Sequence, residues 1–270
     1  MKHALLALLL ATTTTTFTAD EQQWRETRRT RLTSEDSWLS LVGLDWLHEG
    51  TNSITLPAHP AVKRTFILNK GVVTMNGAVL LDDTDPKGPT VTRIGTLSFT
   101  VIKRSDKNGD RYGIRVKDTK SAARKNFKGL TYFPADPAYR VEARFEPYTP
   151  AKKVSITNVL GMTSDEVAPG ALVFTLKGKT YRIDPILEQG ETDLFIIFKD
   201  ATSGKETYGA ARYLYAKPAD ANGKTVIDFN RAYNPPCAFT PYATCPLPPP
   251  QNRLKVRIEA GEKKYAGGHS

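Results

Sequence analysis

The chain has 270 residues, is 40% hydrophobic and 24% charged, and carries a formal net charge of +10. These values describe a globular protein of one large or two modest domains. Its basic residues are spread along the chain apart from Arg25, Arg28, Arg29 and Arg31, so no basic patch on a recognisable module points to a nucleic-acid partner.

The chain opens M-K-H and continues into a short apolar run over 4–11, a threonine run over 12–16, and then Phe17, Thr18 and Ala19. That order is the order of a secretory signal peptide over 1–19, with cleavage after Ala19. The expected location is therefore periplasmic or secreted. The apolar run is far short of the ~20 residues of a spanning helix, and no later stretch is apolar enough, so no transmembrane segment is expected. Removing 1–19 takes away Lys2 and no acid, leaving 37 − 28 = +9. Such a charge suits peripheral association with the envelope or a small acidic ligand.

A helical segment is expected over 20–50. Residues 21–31 are polar and helix-compatible, with Trp24 and Leu32 as apolar contacts. Thr33 and Ser34 offer an N-cap for a short second helix over 35–41, which docks Trp38 and Leu41 and ends at Gly43. Two strands, 44–47 and 52–56, then flank the turn His48-Glu49-Gly50.

From there the pattern is β. Short apolar or alternating runs at 65–68, 72–75, 78–81, 91–94, 97–103 and 111–117 are separated by turn residues, Asn76-Gly77 being the strongest hairpin signal. This predicts an antiparallel sandwich over 51–120, similar in strand order to an FHA-like sandwich, an analogy that implies no phosphopeptide binding. A basic connector over 121–132 leads to Phe133-Pro134 and Asp136-Pro137, and the boundary between the two β units is placed within 120–136. A second β domain, barrel or sandwich, is expected over 121–270, with strands at 139–148, 152–158, 171–176, 180–185, 193–198, 209–216, 225–229 and 254–260. The fold class is all-β: two packed antiparallel β units behind a short helical N-terminal segment.

The most distinctive stretch is 228–253. It holds both cysteines, Cys237 and Cys245, and seven prolines. Proline removes a backbone donor and fixes φ, so the stretch is neither helix nor central strand. Its aromatic residues need packing partners, which makes it an ordered loop. In an exported protein the two cysteines suggest one disulfide closing a nine-residue loop, worth about 2–3 kcal/mol in the chain-entropy model. A nucleophilic Cys237 is the alternative. Residues 235–250 then act as a stapled lid.

The usual chemical signatures are weak. After His3 and the tail residue His269, only His48 and His59 remain, and no nucleophile elbow is present for a triad. Two cysteines and scattered histidines do not make a zinc site. Asp82, Asp83 and Asp85, like Asp106, Asn108 and Asp110, sit where hairpin turns belong. Gly178-Lys179-Thr180 and Gly223-Lys224-Thr225 only echo a phosphate loop and read as turns. No metal and no cofactor is expected. Glu188, Glu191 and Asp193 cluster before an apolar strand, Asp200 follows it, and Asp184 lies within another strand.

The best constellation is polar and feeds the proline-rich loop. Asp228 and Asn230 flank Phe229 and are expected to share one face of a strand end, followed by Arg231, Tyr233 and Asn234. On the preceding strand Tyr213 and Tyr215 share a face and Arg212 points the other way. Arginine supplies a fork, asparagine an amide and tyrosine a stacking face, so Asp228, Asn230, Arg231, Tyr233, Asn234 and Arg212 are the candidate ligand-binding residues for a small anionic or carbohydrate ligand. The competing role is structural: these side chains also suit backbone groups that the prolines leave unpaired.

Three stretches, SWLSLVGLDWLHEGTN, GIRVKDTKSAARKNFKGLTYFPADPAYRVEARF and IDFNRAYNPPCAFTPYATCPLPPPQNRL, resemble the DUF1684 family of bacterial and archaeal proteins, over roughly residues 24–265. The resemblance implies no particular activity. Two functions from different classes stay open: a non-catalytic ligand-binding or accessory protein of the cell envelope, and a hydrolase of envelope carbohydrate or ester using Asp228 or Glu191 and Asp193.

Overall fold

The computed structural model describes residues 2–57 and 60–267, with side chains from Thr16 onward. His59 and His269 lie outside the described residues.

A single helix, α1 (Lys2–Thr33), leads the chain. It runs longer than the short segment expected, and the proposed second helix is only one 3-10 turn, Trp38–Ser40. The physical reason lies next door: β1 (Leu41–Trp46) begins at once and pairs antiparallel with β8 (Gly109–Asp118), so tertiary pairing claims the residues that a helix would need. Gly43 accordingly sits at an irregularity of that pairing and not at a helix end. Nor do β1 and β2 (Gly50–Leu56) form a hairpin, because β2 pairs with β3 (Val62–Asn69) in another sheet.

The N-terminal unit is a sandwich of two antiparallel sheets. One has the order β2-β3-β4-β5, completed by β4 (Val72–Met75) and β5 (Ala78–Leu80). The other has the order β1-β8-β7-β6, with β6 (Thr92–Ile94) and β7 (Leu97–Asp106). Inward residues of both sheets, among them Leu56, Phe66, Phe99, Val101, Ile114 and Val116, form one core. Phe66 and Phe99 meet edge to face at 5.5 Å. Asn76 and Gly77 both have positive φ, 52° and 79°, as the tight β4–β5 turn requires.

A short helix, α2 (Ala122–Lys125), begins the connector. The C-terminal unit then builds a sheet of order β11-β10-β9-β14 from β9 (Arg140–Thr157), β10 (Thr163–Leu176), β11 (Lys179–Ile183) and β14 (Lys224–Asp228). The two strands expected at 139–148 and 152–158 are one long strand. A separate hairpin, β12 (Leu194–Phe198) with β13 (Arg212–Ala216), packs across it. All five residues of β12 are buried because both of its faces are covered. Leu194, Ile196 and Phe198 enter the core against the large sheet, while Phe195 and Ile197 enter a second cluster with Val154, Ile156, Tyr213, Cys237 and Cys245.

No strand forms over 254–260. That segment satisfies its backbone by other means: Leu254 N–H donates to the Lys199 carbonyl, Ile258 N–H donates to Asp200 Oδ2 at 2.7 Å, and the Arg212 guanidinium takes the Ile258 and Ala260 carbonyls. Side chains thus replace the ladder that its apolar pattern suggested.

The proline-rich stretch is ordered and wedged between the units. It carries 3-10 turns at Phe229–Arg231, Pro236–Ala238 and Pro250–Asn252. Ala238 and Phe239 pack with Leu32 of α1 and Leu39, Thr240 Oγ1 donates to the Leu41 carbonyl at 3.0 Å, and Arg104 Nε donates to Thr244 Oγ1 at 3.0 Å. It is a joint rather than a stapled lid. Its cysteines also correct an expectation: Cys237 and Cys245 are free, buried thiols. Cys237 N–H donates to Cys245 Sγ at 3.1 Å. The turn at Pro236, the Tyr208 hydroxyl on the Cys237 carbonyl and Val159 N–H on the Cys245 carbonyl hold the segment without a covalent bridge. Among the described residues no helix is long and apolar enough to cross a membrane.

Candidate functional site

A cavity of about 930 Å³ opens where α1, the N-terminal sandwich and the C-terminal unit meet. Each wall follows from local periodicity. On α1, Asp20, Gln23, Trp24, Thr27, Arg28 and Arg31 line it, a spacing of three and four residues that defines one helical face. On β12 and β13 the lining residues are Phe195, Ile197, Tyr213 and Tyr215, the alternate positions facing away from the main core. The N-terminal unit contributes Trp38, Arg104 and Arg115, and β10 contributes Ser164 and Glu166. The proline-rich stretch closes the remaining side with Arg231, Tyr233, Asn234 and residues 243–246.

The apolar part of this surface is aromatic. Phe195 stacks on Tyr215 at 4.9 Å and 22°, Tyr213 meets Phe195 edge-on at 4.9 Å, and Tyr233 lies parallel to Tyr215 at 6.5 Å. Burial pushes all three tyrosine hydroxyls above their ordinary pKa, so they act as neutral donors. Tyr213 donates to the Pro246 carbonyl at 2.8 Å and Tyr215 to Glu188 Oε2 at 2.8 Å.

Five arginines line the cavity, and three are committed elsewhere. Arg28 binds Glu262 at 2.8 Å, donates to the Asn234 carbonyl and covers the Tyr233 ring at 4.7 Å. Arg231 donates to Glu21 at 2.8 Å. Arg104 grips Asp83 through Nη1 at 2.9 Å. Arg31 and Arg115 have no carboxylate partner among the described residues. Arg31 is exposed. Arg115 lies deeper, against the Trp38 ring at 5.3 Å, and its Nε is buried with no acceptor. Burial, reinforced by the like charge of Arg104, pulls the Arg115 pKa down to about 10. Its guanidinium still carries its charge at neutral pH, and Asp83, the nearest carboxylate to act on it, is already paired with Arg104.

The candidates expected from sequence divide in two. Arg231, Tyr233 and Asn234 line the cavity. Asp228, Asn230 and Arg212 do not. Arg212 is 2% exposed, paired with Asp200 at 3.2 Å and donating to two carbonyls of the last segment. Asn230 is fully buried and clamps the connector, donating to the Asp136 carbonyl at 2.9 Å and accepting from Asp136 N–H at 3.0 Å. Asp228 caps the turn that follows β14, accepting from Asn230 N–H at 3.1 Å. These two therefore meet through a turn and share no strand face, because β14 ends at Asp228.

The carboxylates considered for hydrolysis also lie outside the cavity: Asp193 pairs with Lys217 at 2.8 Å, and Glu191 is exposed on a turn. Asp184 is a buried hub, accepting from the Tyr148 hydroxyl at 2.8 Å. The two aspartate-rich turns bind their own backbone or a basic neighbour: Asp82 accepts from Thr84 N–H, Asp106 accepts from Asn108 N–H, and Asp110 pairs with Lys103. Among the described residues no three His, Cys, Asp or Glu side chains converge to hold a metal ion. Sequence reasoning missed Arg115, Arg104, Trp38, Glu166 and the α1 face. Only the α1 face carried a signal, its three-and-four spacing.

No curated protein matches the chain. A protein of Haloarcula marismortui, described as uncharacterized and solved by solution NMR, is similar at 32% identity over 52% of this chain and 78% of that one, with a TM-score of 0.44. The family model described as "Protein of unknown function (DUF1684)" matches residues 125–263, which span β9 to β14, the cavity's aromatic wall and the whole proline-rich joint. With about half of its length matched, this chain belongs to the DUF1684 family.

Proposed function

We propose that this protein is a non-catalytic ligand-binding or accessory protein of the cell envelope, and that the cavity beneath α1 holds a small anionic molecule with an apolar body. The observation that carries this is Arg115, a deep guanidinium without a carboxylate partner, set across from an aromatic wall. A desolvated cation without a counter-charge is costly, and an anionic ligand supplies the missing partner. The size fits as well, since pockets for small molecules span about 300–1,000 Å³.

Export follows from the order of residues 1–19, and cleavage after Ala19 would leave the lining face of α1, from Asp20 onward, in the mature chain. The N-terminal residue of the protein recovered from the envelope tests this: a chain that keeps Met1 and stays in the cytoplasm sinks it.

A thermal-shift panel of aromatic and alkyl carboxylates and phosphates, beside neutral sugars, tests binding. The expected result is a rise in Tm with the acids that Arg115→Met abolishes. Equal responses from both proteins, or no response to any acid, would overturn the assignment.

A further inference from the structure

Three carboxylates without a Lys or Arg partner among the described residues line the cavity, Asp20 on α1, Glu166 and Glu188, and the last two share one wall that an anion alone leaves unexplained. Glu166 lies on β10 and Glu188 ahead of β12. Each accepts one hydroxyl, Glu166 from Ser164 Oγ at 2.7 Å and Glu188 from the Tyr215 hydroxyl at 2.8 Å. A carboxylate offers about four acceptor sites, so each has room for a further donor. The two belong to one wall, because Leu187 N–H donates to the Val167 carbonyl and holds the Glu188 segment against β10. The stacked rings of Phe195 and Tyr215 adjoin that wall. Carboxylates beside aromatic faces are the surroundings that an organic ammonium group prefers.

The deeper of the two unpaired positive charges comes from a different element. Arg104 and Arg115 stand on β7 and β8 of the N-terminal unit, and Asp83 already neutralises Arg104. On this wall that pair and Arg115 together carry one net charge, which suits a monoanionic carboxylate better than a dianionic phosphate; the other unpaired arginine, Arg31 on α1, is exposed to solvent. The cavity thus has an acidic, aromatic wall on one unit, a basic wall on the other, and Ile186, Ile197 and Phe195 among its apolar lining.

We infer that the occupant is a zwitterion of the short-peptide kind. Its ammonium group meets Glu188 and Glu166, its carboxylate meets Arg115, and an apolar side chain lies on Phe195. This rests on the anion site proposed above. A cavity near the top of the small-molecule range favours a short peptide over a single amino acid.

The test is retention of a tripeptide library with free termini, built from Ala, Leu and Phe, on the full chain, read by native mass spectrometry. Retained peptides are then remade N-acetylated and C-amidated and titrated by calorimetry. Losing a charge-assisted hydrogen bond costs about 1.5–3 kcal/mol, so each cap is expected to weaken binding at least about tenfold. Glu188→Gln should reduce the penalty of acetylation and leave that of amidation, and Arg115→Met should leave the penalty of acetylation and erase that of amidation. Glu166→Gln is the second variant should Glu188→Gln fail to fold, and the capped peptides need no variant at all. Unchanged affinity after acetylation overturns the zwitterion while the anion site stands. Unchanged affinity after amidation overturns both. No retained peptide overturns the peptide class, and the acid panel still decides the anion site separately.

Discussion

Arg212 was expected from sequence to face a ligand, and the structure instead makes it a strut inside the C-terminal core. Arg212→Met removes three interactions: the ion pair with Asp200 at 3.2 Å and the hydrogen bonds to the Ile258 and Ala260 carbonyls. Breaking one side of a buried pair costs about 3–5 kcal/mol, because the remaining charge is left uncompensated. The lower part of that range applies here. Asp200 keeps donors from Thr202 Oγ1 at 2.8 Å and Ile258 N–H at 2.7 Å. At roughly 2–4 °C per kcal/mol for a chain of this size, Tm should fall by about 6–15 °C. Thermal unfolding followed by circular dichroism measures it. The double variant Arg212→Met with Asp200→Leu should lose less than Arg212→Met alone, since no buried charge then remains. A fall below about 2 °C, together with a lost response to acidic ligands, would refute the strut and return Arg212 to the ligand site.

Asn230→Ala should cost about 1–3 kcal/mol by stranding the Asp136 backbone, with ligand affinity unchanged; urea unfolding and calorimetry check the two halves. Gly261→Ala should destabilise by at least about 1–3 kcal/mol, because φ there is +77° and a Cβ would stand 2.4 Å from the Ala232 carbonyl oxygen. Burial raises the Glu21 carboxyl above its ordinary 4.5, although the Arg231 hydrogen bond opposes it. The folded state therefore binds this proton more tightly than the unfolded state, so its contribution to stability falls as pH rises above 4.5. Urea midpoints measured across that range should show this slope in the native protein and lose it in Glu21→Gln. Both thiols should label when the chain is denatured without reductant; no labelling would mean that Cys237 and Cys245 are bridged after all.

The strands were legible because their cause is local. Period-two alternation and turn pairs such as Asn76-Gly77 act within a few residues, and β4 (Val72–Met75) falls on the run that predicted it. The errors at 41–43 and over 254–260 share one cause. In both places a partner distant in sequence set the backbone: β8 in the first, Asp200 and Arg212 in the second. The same limit governs the site. Arg231, Tyr233 and Asn234 were found because they crowd into one stretch, whereas Arg115 sits in an ordinary alternating strand and nothing beside it marks it out.

The sequence by itself determined an all-β chain with a helical lead and an ordered, proline-locked stretch near its C-terminal end, because hydrophobic period and proline geometry act over short range. It also narrowed the chemistry by residue type. Only the tertiary structure decided which arginines were already paired. Arg28, Arg104, Arg212 and Arg231 find carboxylates at 262, 83, 200 and 21, and Arg115 finds none. Whether a charge is satisfied depends on neighbours brought in from far along the chain, and that is what separates the struts from the cavity here.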